Sequence, residues 1–180
     1  MQLLATIPEL KDATGINPGI ENKDPDVVRM IKAAQLEDIR PLVGDRMFWD
    51  IVDDPTRATS GRNYAALLAE TEYSYESVTY TSPGLKAVLF EYVFARYRYF
   101  NQEIDTPSGF GQIEGSNIQR SSETRNLNIY SSLRKLAESN WIEVRNYLDR
   151  VDPSFTYWYG SEKNLDHGEE KIVLNKVTVR

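Results

Sequence analysis

Apolar residues recur at three- and four-residue spacing through much of the first 150 positions, and this rhythm predicts a chain built mainly of amphipathic helices. The first 24 residues, with Pro8, Gly15, Pro18 and Gly19 among short apolar pieces, are expected to form an extended, turn-rich lead-in. Asp24-Pro25-Asp26 then has the chemistry of a helix start: an acid cap, Pro at the first helical position and an acid facing the dipole. Val27, Val28, Ile31, Ala34, Ile39 and Leu42 continue one apolar face, and Pro41 with Gly44 ends or kinks it. A second short helix is expected over 45–52, with Met47, Phe48, Ile51 and Val52 on one side and Trp49 off that face.

Residues 63–73 are expected to be helical, with Tyr64, Leu67 and Leu68 inward. The β-branched and aromatic stretch 75–80 predicts an extended segment or hairpin arm. Residues 84–103 are apolar almost all round, which marks a central helix. A Gly- and Pro-containing loop follows over 104–116. A long helix over 117–151 comes next, its second half carrying Leu133, Ala137, Trp141, Val144, Leu148 and Val151 in a bundle-like seam.

Past Asp152-Pro153 the pattern changes. Phe155, Tyr157, Trp158 and Tyr159 cluster, a charged stretch covers 161–170, and Ile172, Leu174, Val177 and Val179 belong to a β-prone run. The expected fold class is therefore mostly α: a small helical bundle with a long C-terminal helix and an extended, β-prone C-terminal arm. The division is a lead-in over 1–24, a helical domain over 25–151 and the arm over 152–180.

Composition narrows the chemistry. The chain has 180 residues, 41% hydrophobic and 27% charged, enough for a real core. Its net charge of −6 argues against a free-standing nucleic-acid binder. The absence of cysteine excludes disulfides, thiol catalysis and zinc-thiolate sites, and one histidine, His167, excludes relay triads within the chain. No apolar run approaches the roughly 20 residues of a membrane span, and no signal-peptide pattern opens the sequence.

Each chemical constellation has a plainer reading that outweighs it. Gly109, Gly111 and Gly115 suggest a phosphate loop, but a helix precedes them and no Lys-Ser/Thr pair follows. Asp166, His167, Glu169 and Glu170 could ligate a metal, yet they sit together in a solvated charge cluster. Asp50, Asp53 and Asp54 are better explained as turn and cap residues than as Mg²⁺ ligands. Glu91 lies five and seven positions from Arg96 and Arg98, so neither is a good helical partner; a snorkelling or interface charge is preferred to a general acid. The arginines and lysine of the long helix outnumber its acids, and a solvated face or a contact with a neighbouring chain is preferred to a nucleic-acid face. No catalytic residue, cofactor or metal site is expected, and the protein is expected not to be an enzyme.

Aromatics are the main anomaly. Trp49, Tyr97, Phe155, Tyr157, Trp158 and Tyr159 sit where a monomer's core is not obviously available, which suits a protein–protein interface.

Asp24-Pro25-Asp26-Val27, Ile31-Lys32-Ala33-Ala34-Gln35, Ile39-Arg40-Pro41-Leu42-Val43-Gly44 and Phe48 together resemble the opening of the head–tail connector proteins of tailed bacteriophages, also called adaptor or head-completion proteins. Gly84-Leu85-Lys86-Ala87 and Tyr92-Val93-Phe94-Ala95-Arg96-Tyr97 resemble their central helix. The resemblance covers residues 2–103 and implies assembly rather than chemistry. It implies a homo-oligomeric ring, commonly a dodecamer, beneath the portal protein at the head–tail junction of the virion, assembled in the host cytoplasm. Such a ring contacts other connector or tail proteins and passes DNA without sequence-specific binding. Phe155, Tyr157, Trp158, Tyr159, Ile172, Leu174, Val177 and Val179 are the interface candidates. The alternative is a cellular helical adaptor binding one protein partner through the aromatic tail; a metal-dependent hydrolase or nuclease ranks third.

Overall fold

The computed structural model describes residues 2–16, 20–59, 62–100, 105–106, 109–110 and 123–151. It is mostly helical, as the apolar periodicity predicts. Helix α1 (Ile7–Thr14) lies inside the expected extended lead-in, which corrects that expectation. The Thr6 side chain accepts from the Glu9 backbone N–H while Glu9 bonds back to the Thr6 N–H at 2.8 Å, a reciprocal capping box. Gly15, at φ 63°, closes the helix in the left-handed conformation. Ile7 and Leu10 are buried, so a short capped helix adds to the core what an extended strand could not place.

Asp24 caps α2 (Pro25–Ala34) by accepting from the N–H groups of Asp26 and Val27. The helix runs without a break into a π-helical turn (Gln35–Ile39) and then α3 (Arg40–Val43). In that turn the Arg40 N–H bonds to the Gln35 carbonyl, a one-residue slip from the α-helical register. Pro41 lies just beyond it and has no N–H to give, so the helix relaxes its ladder at this point. Gly44 ends the run, and α4 (Asp45–Asp53) buries Met47, Phe48, Ile51 and Val52.

A two-residue ladder, β1 (Ala58–Thr59) with β2 (Arg62–Asn63), leads into α5 (Tyr64–Leu68). The helix expected over 63–73 stops at Leu68, and Thr71 already belongs to β3 (Thr71–Tyr75), paired antiparallel with β4 (Val78–Ser82). The Thr71 hydroxyl donates to the Ala66 carbonyl at 2.8 Å, which ends α5, and the β-branched and aromatic residues beyond it suit a ladder better than a helix. Gly84, at φ 78°, turns the chain into α6; a Cβ there would stand 2.4 Å from the Ala69 carbonyl carbon and oxygen.

Helix α6 (Leu85–Phe100) occupies the centre, packed by α1 and α2 and, most extensively, by α7 (Glu123–Val151). It buries Leu85, Val88, Leu89, Tyr92, Val93, Ala95 and Tyr97. Tyr97 is thus a core residue, a correction to its expected place at an interface. A further short ladder pairs β5 (Asp105–Thr106) with β6 (Gly109–Phe110). On α7, Ala137, Val144 and Leu148 of the expected seam are fully buried, Leu133 and Trp141 are half-buried, and Val151 is exposed.

Candidate functional site

Two features stand out once the frame is in place: a charged centre that joins three helices, and an aromatic surface where α7 ends.

The charged centre is built on the π turn. Gln35 is fully buried and its amide is saturated by the N-terminal segment: Oε1 accepts from the Leu4 N–H at 2.9 Å, and Nε2 donates to the Gln2 carbonyl at 3.3 Å. Three residues on, the Asp38 side chain is 4% exposed and each of its oxygens holds a different arginine. Arg96 Nη2 lies 2.7 Å from Oδ2, and Arg134 Nη1 lies 2.9 Å from Oδ1. Arg96 also reaches Glu37 at 2.8 Å. Arg134 packs over the Tyr92 ring at 4.8 Å and donates to the Tyr130 hydroxyl at 3.2 Å. Burial works against the charge of both guanidiniums, but the bonds to Asp38 outweigh it and hold both pKa values above the usual arginine range. All of these groups are engaged with one another, so the cluster is a cross-brace rather than a reactive site.

The aromatic surface belongs to the β3–β4 hairpin. Period-two alternation puts Tyr73 and Tyr75 on the same face as their partners Tyr80 and Val78. Tyr73 is buried, stacked on Tyr80 at 5.5 Å and edge-on to Tyr147 of α7 at 5.3 Å. Arg150, one residue from the end of α7, donates to the Tyr73 hydroxyl at 3.4 Å and lies 4.5 Å and 5.4 Å from the ring centres of Tyr80 and Tyr75. The hydrogen bond to Tyr73 raises its pKa. The hairpin is thereby clamped to the helix end, with Tyr75 at 38%, Val78 at 50% and Val151 at 40% exposure. Its two-residue turn is strained: Glu76 and Ser77 sit at φ 49° and 65°, where Asn-Gly is the favoured pair.

Elsewhere Trp49 is 45% exposed, its ring edge-on to Phe48 and 5.9 Å from the Arg40 guanidinium. The acids 50, 53 and 54 do not converge on an open site. Asp50 accepts from the Tyr64 hydroxyl at 2.6 Å and from Arg57 at 2.9 Å, Asp54 pairs with Arg57 at 3.4 Å, and Asp53 faces outward. Among the described residues no three His, Cys, Asp or Glu side chains are grouped to hold a metal ion, and no helix is long and apolar enough to cross a membrane. Phe155, Tyr157, Trp158, Tyr159, Ile172, Leu174, Val177 and Val179, like the 166–170 charge cluster and Gly111 and Gly115, lie outside the described residues.

The hairpin surface was half legible. Its aromatic, β-branched composition points to a hairpin, but the clamp by Arg150 carries no local signal, since the contact joins residues 77 positions apart. The same holds for Asp38, which looks like one more acid on an amphipathic helix until the arginines from two later helices arrive.

A family model described as a family of unknown function (DUF6712) matches residues 39–168, more than half of the chain and all of the frame from α3 through α7. The chain belongs to that family. The DUF6712 match takes in the hairpin, Arg96, Arg134 and Arg150. Neither a curated protein nor a solved structure matches the chain.

Proposed function

We propose that the protein is a structural virion component of a tailed bacteriophage, a subunit of a ring at the portal–tail junction that extends the DNA channel and docks the tail. The observation that carries this reading is the apolar surface made by Tyr75, Val78 and Val151 where α7 ends and the arm of residues 152–180 begins. One aromatic and two aliphatic side chains exposed beside a clamped hairpin suit a permanent contact between subunits better than a substrate site. The cross-braced helical frame and the resemblance of residues 2–103 to connector proteins support the same reading.

Its partners are further copies of itself, about twelve per ring by that resemblance, together with the portal protein and other connector or tail proteins. The arm contributes Phe155, Tyr157, Trp158 and Tyr159 as anchors, and Ile172, Leu174, Val177 and Val179 for strand addition to a neighbour. A net charge of −6 suits a conduit that does not grip DNA. No metal, cofactor or catalytic residue is part of this role. Assembly takes place in the host cytoplasm.

Light scattering of the full chain, alone and with the portal protein of the same genome, tests the reading. A closed multimer in either sample supports it. A monomer in both overturns it, and a one-to-one complex with a cellular protein would replace it with the adaptor reading.

A further inference from the structure

The side of α6 turned away from α7 borders a hollow of ≈ 290 Å³ with apolar walls from Ala13, Leu68, Pro83, Ala87 and Phe90. A second hollow of ≈ 330 Å³ lies beside it, with Leu68, Ala69 and Lys86 lining both, and the adjacent pair makes a divided trough. Lys86 is already engaged, its Nζ 2.6 Å from Glu9 Oε1. Glu91, at the edge of the first hollow, is half-buried, and among the described residues no cation or donor meets its carboxylate. Burial pushes its carboxyl above the usual carboxylate range. A partly desolvated carboxylate without a partner raises the free energy of the isolated subunit, and a cation arriving on an apolar stem removes that penalty.

Such a cation stands on the far side of the molecule. Tyr92, Arg96 and Tyr99 of α6 meet Arg134, Asp38 and Tyr130. At about 100° per residue, Lys86, Ala87 and Phe90 lie roughly half a turn around the axis from them. Helix α7 buries Ala137, Val144 and Leu148 against the core, which leaves Lys135 and Ile142 on one stripe of its outer side. Ile142 is 56% exposed, and Lys135 is exposed with no ion-pair partner among the described residues. Ser131 and Ser139, one turn to either side of Lys135, leave it room to reach outward. Trough and stripe therefore occupy opposite sides, the arrangement a head-to-tail contact needs.

We propose that the trough beside Glu91 receives the outer face of α7 from a second copy, Lys135 of the arriving copy pairing with Glu91 and its Ile142 lying against the apolar walls. This contact rests on the ring reading and names the two surfaces that repeat around the ring. Lys135 and Ile142 are about 10 Å apart along the helix at 1.5 Å per residue, which suits two hollows lying side by side.

The cysteine-free sequence makes the test direct. Full-length Glu91→Cys and Lys135→Cys chains carrying different tags, each matching wild type by circular dichroism, are mixed with a short bismaleimide, alone and with portal protein. The contact predicts a mixed-tag dimer several-fold above what either variant yields by itself. It also predicts that Glu91→Lys lowers the oligomer mass and that adding Lys135→Glu restores it. No mixed-tag dimer, or no restoration by the charge swap, overturns the contact. Light scattering of wild type in the same buffers separates the two claims: multimers without the cross-link leave the ring reading standing with its interface elsewhere, whereas monomers throughout overturn both.

Discussion

Arg96 Nη2 and Asp38 Oδ2 lie 2.7 Å apart although 58 positions separate them in sequence, and this pair ties the central helix to the π turn. Arg134 completes the brace from the long helix, so one buried carboxylate fixes the relative placement of α2, α6 and α7. Asp38→Ala removes the acceptor that the two guanidiniums share, leaving Arg96 with Glu37 and Arg134 with Tyr130. Breaking such a group is expected to cost about 3 kcal/mol, read as a lower denaturant midpoint in urea. Removing Arg134 as well from the Asp38→Ala chain is expected to recover part of that loss, because one stranded cation goes with it.

Gly84 is held by geometry rather than by chemistry. Gly84→Ala meets both a positive φ and a Cβ contact of 2.4 Å with backbone, which no rotamer can relieve. The expected loss is at least about 2 kcal/mol, measured by thermal or chemical unfolding. A full-strength Ala variant would contradict the close approach of residues 69 and 84.

Much of this architecture was legible because it depends on local patterns. The Asp24-Pro25 start, the apolar face of α4 and the all-round apolarity of α6 each follow from neighbouring residues. The seam of α7 followed equally well at Ala137, Val144 and Leu148. Helix α1 is hard to read because the prolines and glycines around it signal turns, although Thr6 and Glu9 are spaced as a capping box. The pattern overstates helix α5 because Leu67 and Leu68 continue a helical face that the Thr71 side chain interrupts. The brace at Asp38 and the clamp at Arg150 were invisible, since their partners come from the far end of the chain. The exposure of Trp49 and the hairpin over 71–82 could be read from the pattern, but not that Tyr97 would turn inward.

The strained turn gives a separate check. Replacing Glu76-Ser77 by Asn-Gly relieves two non-glycine residues at positive φ and is expected to stabilise the protein by about 1 kcal/mol. Unfolding midpoints compare the two. A loss of stability would contradict the turn geometry.

Arg150→Ala is expected to leave the thermal midpoint nearly unchanged, because the side chain is only partly buried and its hydrogen bond to Tyr73 is long at 3.4 Å. Its effect is local: the backbone amides of residues 71–82 exchange several-fold faster with deuterium once the rings of Tyr75 and Tyr80 lose their cation. Unchanged exchange would show that the hairpin is held by Tyr73 and Tyr147 alone.

Glu91 and Glu9 bracket the pH behaviour. Burial raises the Glu91 pKa, so the folded isolated subunit holds that proton more tightly than the unfolded chain. Its penalty is absent below the unfolded pKa and develops as pH rises through the folded value. Glu91→Gln is therefore expected to stabilise the monomer at neutral pH, by under about 1 kcal/mol after solvent screening, and to do nothing in acid. For Glu9, burial alone would raise the pKa, but the bonds from Lys86 and Thr6 outweigh it and the net shift is downward. Its contribution is present above the unfolded pKa and is lost as pH falls through the folded one, so Glu9→Gln destabilises at neutral pH and not in acid. Thermal melts across pH 3–8 would show the two variants deviating from wild type in opposite directions.

The ring itself is tested most directly by solution mass. Multi-angle light scattering of the full chain, alone and with the portal protein of the same genome, is predicted to show a closed multimer of about twelve copies in at least one sample. Deleting residues 152–180 is predicted to reduce the number of copies in the assembly, beyond the mass lost with the deleted residues. A strictly monomeric protein in both samples, at concentrations where the cross-linking chains are also monomeric, would contradict the account.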